Sequence, residues 1–194
     1  PIMRALLDAG VRLDTYELGC KHLAQAAALG HARAARLLLA AGAYVDAQDD
    51  THGATPLLHV VSAGFAPLAE LLLSHGASVF VRQHCRIAVL HTAARCHNAA
   101  YTAALFKVLV AAGAELEPLT EHGHTPISMA ACVDSVGGVE QCVLHGVSVD
   151  APHGREASAI AFALHERSPH AVRVLLAYGA RPVEFERYRT LKFL

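Results

Sequence analysis

Apolar residues along this chain fall in short paired runs, and each pair is closed by a glycine. The second run of each pair reads RALLDAG to Gly10, RLLLAAG to Gly42, ELLLSHG to Gly76, KVLVAAG to Gly113, QCVLHG to Gly146 and RVLLAYG to Gly179. The spacings between those glycines are 32, 34, 37, 33 and 33 residues. Ahead of each later run lies another apolar segment built on small residues: AQAAALGH (24–31), LHVVSAG (58–64), LHTAAR (90–95), ISMAAC (127–132) and AIAFALHE (159–166). Runs of this length, recurring at this period, predict a stack of two-helix units.

The residues at the joints support that reading. Thr55-Pro56 and Thr125-Pro126 place a hydroxyl where the first helical amides need an acceptor, and then an imide that has no amide hydrogen to lose. The alanine pairs let neighbouring first helices approach closely, and the leucines of the second run supply the core between units. The closing glycine provides a left-handed C-cap. One such unit cannot bury its own apolar faces, so stacking makes the fold.

With these residues in view, the sequence resembles the ankyrin repeat family, whose unit runs roughly G-x-T-P-L-H-x-A-A-x-x-G-H, then a leucine-rich run closed by G-A. Gly53 to Ala77 matches with Thr55-Pro56, Leu71-Leu72-Leu73 and Gly76-Ala77; Gly123-His124-Thr125-Pro126 matches the front, and Gly30-His31 with Leu37-Leu38-Leu39 the middle. The match covers Ile2 to about Arg181. It implies an all-α solenoid of helix-turn-helix units with fingers, over 1–182, followed by a capping or linker segment at 183–194. In a helix reading of that segment, Phe185, Tyr188 and Leu191 share one side and pack back onto the unit of Val174 and Leu175.

Three departures qualify the pattern. Pro1 falls within a second-helix run, so the first unit lacks its first helix and the chain is expected to be a piece of a longer array. The fourth unit inserts about four residues in HNAAYTAAL (97–105), which either bulges the loop or lengthens a helix. The fifth is degenerate: Gly137-Gly138 stands where its second helix should begin, and Gln141-Cys142-Val143 replaces leucines. Since each helical glycine is unfavourable by ~1 kcal/mol relative to alanine, that helix is expected to be short or frayed.

Composition narrows the function. The 194 residues carry a net charge of −1 and 54% hydrophobic residues, enough for a sizeable core. Nothing like the basic field that drives nucleic-acid binding is present, and no apolar run approaches the eighteen or so residues of a membrane span. The expected chain is soluble and intracellular, cytoplasmic or nuclear, with reduced, packed thiols at its five cysteines. Fourteen histidines invite a metal reading, and Cys85, His91, Cys96 and His97 are the best set. Their spacings of six, five and one match no compact zinc finger. Cys132, Cys142 and His145 are looser still. No phosphate loop, Gly-x-Ser-x-Gly or His-Glu-x-x-His occurs, so neither cofactor nor catalytic residue is expected.

Function then belongs to the positions the units do not share. The resemblance implies a concave side made of fingertips and first helices, and carries partner contact by phase onto Asp50, Thr51 and His52; His84, Cys85 and Arg86; Glu121, His122 and His124; and Arg155. On first helices it points to Arg95, His165 and Glu166. A second ladder, Asp14, Asp46, Glu117 and Asp150, falls four residues after its glycine; a local turn bond is the expected role. The expectation is a monomeric, non-enzymatic module that recognises another protein. Two alternatives are the substrate-recognition array of a SOCS-box ubiquitin-ligase adaptor, its box lying outside this chain, and a spacer in a larger scaffold.

Overall fold

The computed structural model describes residues 19–150 and 158–181. The unit closed by Gly10, Asp14, Arg155 and the cap or linker expected at 183–194 lie outside them. Among the described residues the chain forms ten α-helices and no strand. First helices are α1 (Gly19–Ala28), α3 (Pro56–Ala63), α5 (Val89–Ala94), α7 (Pro126–Cys132) and α9 (Ala159–His165). Second helices are α2 (Ala32–Ala40), α4 (Ala66–Ser74), α6 (Ala99–Ala111), α8 (Val136–Leu144) and α10 (Pro169–Ala177). Each first helix packs on the next first helix and on its own partner, which gives two layers, inner and outer.

One position per outer helix, four residues before the closing glycine, supplies the inter-unit core: Leu38, Leu72, Leu109, Cys142 and Leu175, none more than 3% exposed. The same five residues terminate their helices. The amides of Ala43, Ala77, Ala114, Val147 and Ala180 donate to their carbonyls at 2.9–3.0 Å. That bond needs the intervening glycine at φ between 85° and 90°, a region closed to most side chains. Capping and core burial are thus set by one short stretch, which is why the repeat shows so clearly.

Inner-helix starts vary more. Thr55 Oγ1 accepts from the Leu58 amide and Thr125 Oγ1 from the Ser128 amide. Ala88 has no such oxygen. In its unit the buried His91 caps instead: Nδ1 accepts from the Ala88 amide at 3.0 Å, so Nε2 carries the hydrogen and donates to the His124 carbonyl of the next unit at 2.9 Å. Desolvation lowers the His91 pKa to about 4, which keeps the ring neutral as both bonds require.

Of the two alternatives for the fourth unit the structure takes the second, and for the fifth unit the expectation is corrected. The four inserted residues lengthen α6 to thirteen residues, whereas the other four outer helices have nine. Asn98 Oδ1 caps the added turn, accepting from Ala100 and Tyr101. The glycine pair does not shorten α8, which is nine residues long. Both glycines are buried against the fourth unit. A Cβ on Gly137 would lie 2.9 Å from the Ala99 Cα, and one on Gly138 only 1.9 Å from the Ala94 carbonyl oxygen. The pair is where α8 meets the lengthened α6 and the end of α5. Ser135 secures the junction, its Oγ donating to the Cys96 carbonyl at 2.6 Å and accepting from the Gly138 amide.

The acidic ladder also differs from expectation. Asp46 accepts from the Ser78 amide through both oxygens, at 2.9 and 3.2 Å, and Asp150 accepts from the Arg181 amide at 3.0 Å. Both bonds span 31 or 32 residues. At these two units they tie the finger base to the next unit and do not close a local turn.

Candidate partner-binding surface

Fingers rise beside the inner helices, and their tips are joined in series. Within tips, the Asp49, Gln83 and Thr120 amides donate to the Ala54, Ile87 and His124 carbonyls, each at 2.9 Å. Between tips, the His84 amide donates to the His52 carbonyl at 2.9 Å and the Glu121 amide to the Cys85 carbonyl at 2.8 Å. Those clamps hold Cys85 and Arg86 at φ 60° and 59°, a left-handed conformation uncommon for such residues. Arg86 there occupies the place that Gly53 and Gly123 fill in the flanking tips, both also left-handed.

Asp50, Thr51, His52, His84, Arg86, Glu121 and His122 are all exposed along this series. The first tip is ordered by Asp49, whose Oδ1 accepts from the His52 amide (2.7 Å), the Thr51 amide and the Thr51 hydroxyl. Its Oδ2 meets His59 Nε2 at 2.9 Å. Burial alone would raise the Asp49 pKa; these donors outweigh it and hold the carboxyl well below its usual range. The His84 ring rests over Gly53. His124 sits deeper than the others: its ring packs at a tilt against Phe162, centroids 4.7 Å apart, Nδ1 is buried, and its carbonyl receives His91 of the preceding unit.

Phase extends the surface onto the inner helices. Seventeen residues before the closing glycine, or twenty-one in the lengthened fourth unit, stand Gln25, His59, Thr92, Met129 and Phe162; three residues later stand Ala28, Ser62, Arg95, Cys132 and His165. None of the ten is fully buried, unlike the Leu58, Val60 and Val61 that flank His59. Contacts confirm where they lie: His59 reaches the finger through Asp49, and Phe162 through His124. Arg95, His165 and Glu166 are exposed at the inner-helix ends, and His165 Nδ1 meets Glu166 Oε1 at 2.6 Å. Desolvation raises the Cys132 pKa to about 11, with Glu166 adding to it and Arg95 opposing, which places all three residues in one neighbourhood. Sequence reasoning missed His59, Thr92, Met129, Cys132 and Phe162. Counting back from the glycines, with the inserted turn subtracted, would have found them.

The matching family model, ankyrin repeats (3 copies), covers residues 1–83 and, in an overlapping match, 23–105. The chain belongs to the ankyrin repeat family. A mouse (Mus musculus) relative, "B-cell lymphoma 3 protein homolog", is 32% identical over 134 residues, which is 66% of this chain. The match spans only 29% of that relative. In this ankyrin array the units closed by Gly146 and Gly179 lie beyond the family-model match, and the five-fold helix-end bonds carry the same geometry through them.

The thiol and imidazole set named from the sequence is dispersed among the described residues. Cys85 is exposed at a fingertip, while His91 is fully buried with both ring nitrogens bonded. Among the described residues no group of three or more His, Cys, Asp or Glu side chains could hold a metal ion. Cys142 fills the core slot of its unit, and burial raises its thiol pKa far above the usual range. No helix among the described residues is long and apolar enough to cross a membrane.

Proposed function

We propose that this ankyrin array is a protein-binding module without chemistry of its own, which receives its partner on the fingertips and the inner-helix rows. The observation that carries the proposal is the division of labour between the layers. The outer-helix cores, helix ends and acidic ladder are consumed in holding the stack together. Fingertips and inner rows instead form one band of varied, solvent-reachable side chains on a rigid base. A preformed surface avoids much of the ordering that otherwise opposes association. The free cysteines Cys85, Cys96, Cys132 and Cys142 suit a reducing compartment, cytoplasm or nucleus.

The test compares two triple variants in capture of partners from native cells. Thr51→Ala, Arg86→Ala and Arg95→Ala alter the inner face; Arg36→Ala, Glu70→Ala and Arg173→Ala alter exposed positions on outer helices. Loss of capture only in the first set supports the proposal. Loss only in the second would replace the inner face with the outer one, and equal capture by both would favour a spacer.

A further inference from the structure

Along the inner face the chemistry changes from one end of the stack to the other. The first row passes from an amide (Gln25), an imidazole (His59) and a hydroxyl (Thr92) to a thioether (Met129) and a phenyl ring (Phe162), both only half-buried. Beside the last two lies Cys132, whose raised pKa keeps it an uncharged thiol at neutral pH. That end of the face is therefore apolar. Beside it, Glu166 bonds His165 Nδ1 at 2.6 Å. Arg95 is exposed, and no hydrogen bond or ion pair engages its guanidinium among the described residues.

Resting on the inner-face reading above, we propose that the partner presents an extended segment bearing an acidic side chain and a bulky apolar one, the acid on Arg95 and the apolar group between Met129 and Phe162. Packed helices lie ~8–10 Å apart, so the step from α5 to the space between α7 and α9 is about 10–15 Å. An extended chain rises ~3.3 Å per residue, which separates the two side chains by roughly three to five residues. Arginine suits the acid because its planar fork grips a carboxylate with two bonds. Met and Cys suit the apolar group because soft, unbranched side chains adapt to varied shapes. Glu166, exposed one helical turn after Phe162, disfavours a second acid beyond the apolar residue.

The probe is a displayed library of random dodecapeptides, selected on the full chain and again on Arg95→Glu and Phe162→Ala. Met129→Gln replaces Phe162→Ala if that variant loses its helical circular dichroism. The expected enrichment is Asp or Glu at the stated spacing from Leu, Ile, Met, Phe or Trp. A synthesised winner should lose about tenfold or more in Kd on either variant. Changing its acid to Lys should restore binding to Arg95→Glu while weakening binding to the wild-type chain. Winners without that spacing, no winners at all, or no rescue by charge reversal would overturn the proposal. If the inner-face triple variant loses its cellular partner while Arg95→Glu alone keeps it, the surface stands and this partner chemistry falls. If neither affects capture, the surface itself falls.

Discussion

Replacing a helical glycine with alanine ordinarily stabilises by ~1 kcal/mol, because the side chain restricts the unfolded backbone. Gly138→Ala should do the reverse. The added Cβ would sit 1.9 Å from the Ala94 carbonyl oxygen and 2.9 Å from the Ala130 Cβ, where real Cβ contacts essentially never fall below 3.0 Å. Relief of the first contact alone needs about 1.1 Å of separation, the difference between 3.0 and 1.9. The clashing atom is backbone, so no rotamer change provides it. Helix α8 must move from α5, and the 2.6 Å bond from Ser135 to the Cys96 carbonyl loosens with it. Overpacking that shifts backbone is unfavourable by up to ~3 kcal/mol, and subtracting the propensity gain leaves ~2 kcal/mol of net destabilisation. Urea denaturation followed by circular dichroism reads this directly, and a thermal midpoint lower by ~5 °C should accompany it. A midpoint that rises or stays put would refute the close approach.

Leu72→Ala removes a fully buried side chain from the core between units and should destabilise by ~2–5 kcal/mol in the same assay; a loss under ~1 kcal/mol would contradict the phase. Asp46→Ala should be unfavourable by about 1–2 kcal/mol and speed hydrogen exchange at the Ser78 amide, whereas unchanged exchange there would refute the inter-unit ladder. His91 has a folded pKa of about 4, below its unfolded value of 6.5, so the unfolded chain binds more protons between those limits. The His91 contribution is therefore complete above pH 6.5 and declines by up to ~3 kcal/mol as pH falls toward 4. His124, lowered chiefly by desolvation, adds in the same direction. His91→Gln should flatten most of that slope, and a slope that is unchanged would show that His91 is not the titrating group.

The repeat itself was legible because one stretch, from the core leucine to the closing glycine, encodes packing and helix termination together. What could not be read was chemistry that depends on the neighbouring unit. Gly137-Gly138 looked like weak helix formers because propensity is a local quantity; the carbonyl of Ala94 and the Cα of Ala99 that require them belong to another unit. Asp46 looked like a turn residue for the same reason, its partner Ser78 being 32 positions away. The two histidines diverged too. His91, named in the sequence as part of the best metal set, is fully buried and caps α5, whereas His124, placed at a fingertip by phase, turns inward onto Phe162. Of the inner rows, family phase pointed to Arg95 and His165, while Met129 and Phe162, set among apolar neighbours, went unnamed.

The central claim is that partners engage the band of fingertips and inner rows. Hydrogen–deuterium exchange of this chain, free and bound to a partner recovered from its native cells, tests it most directly. The account predicts slowed exchange at residues 50–52, 84–86 and 121–122 and in the last turns of α3, α5, α7 and α9. Slowing confined to the exposed faces of α2, α4, α6, α8 and α10, with the fingertips unchanged, would contradict it.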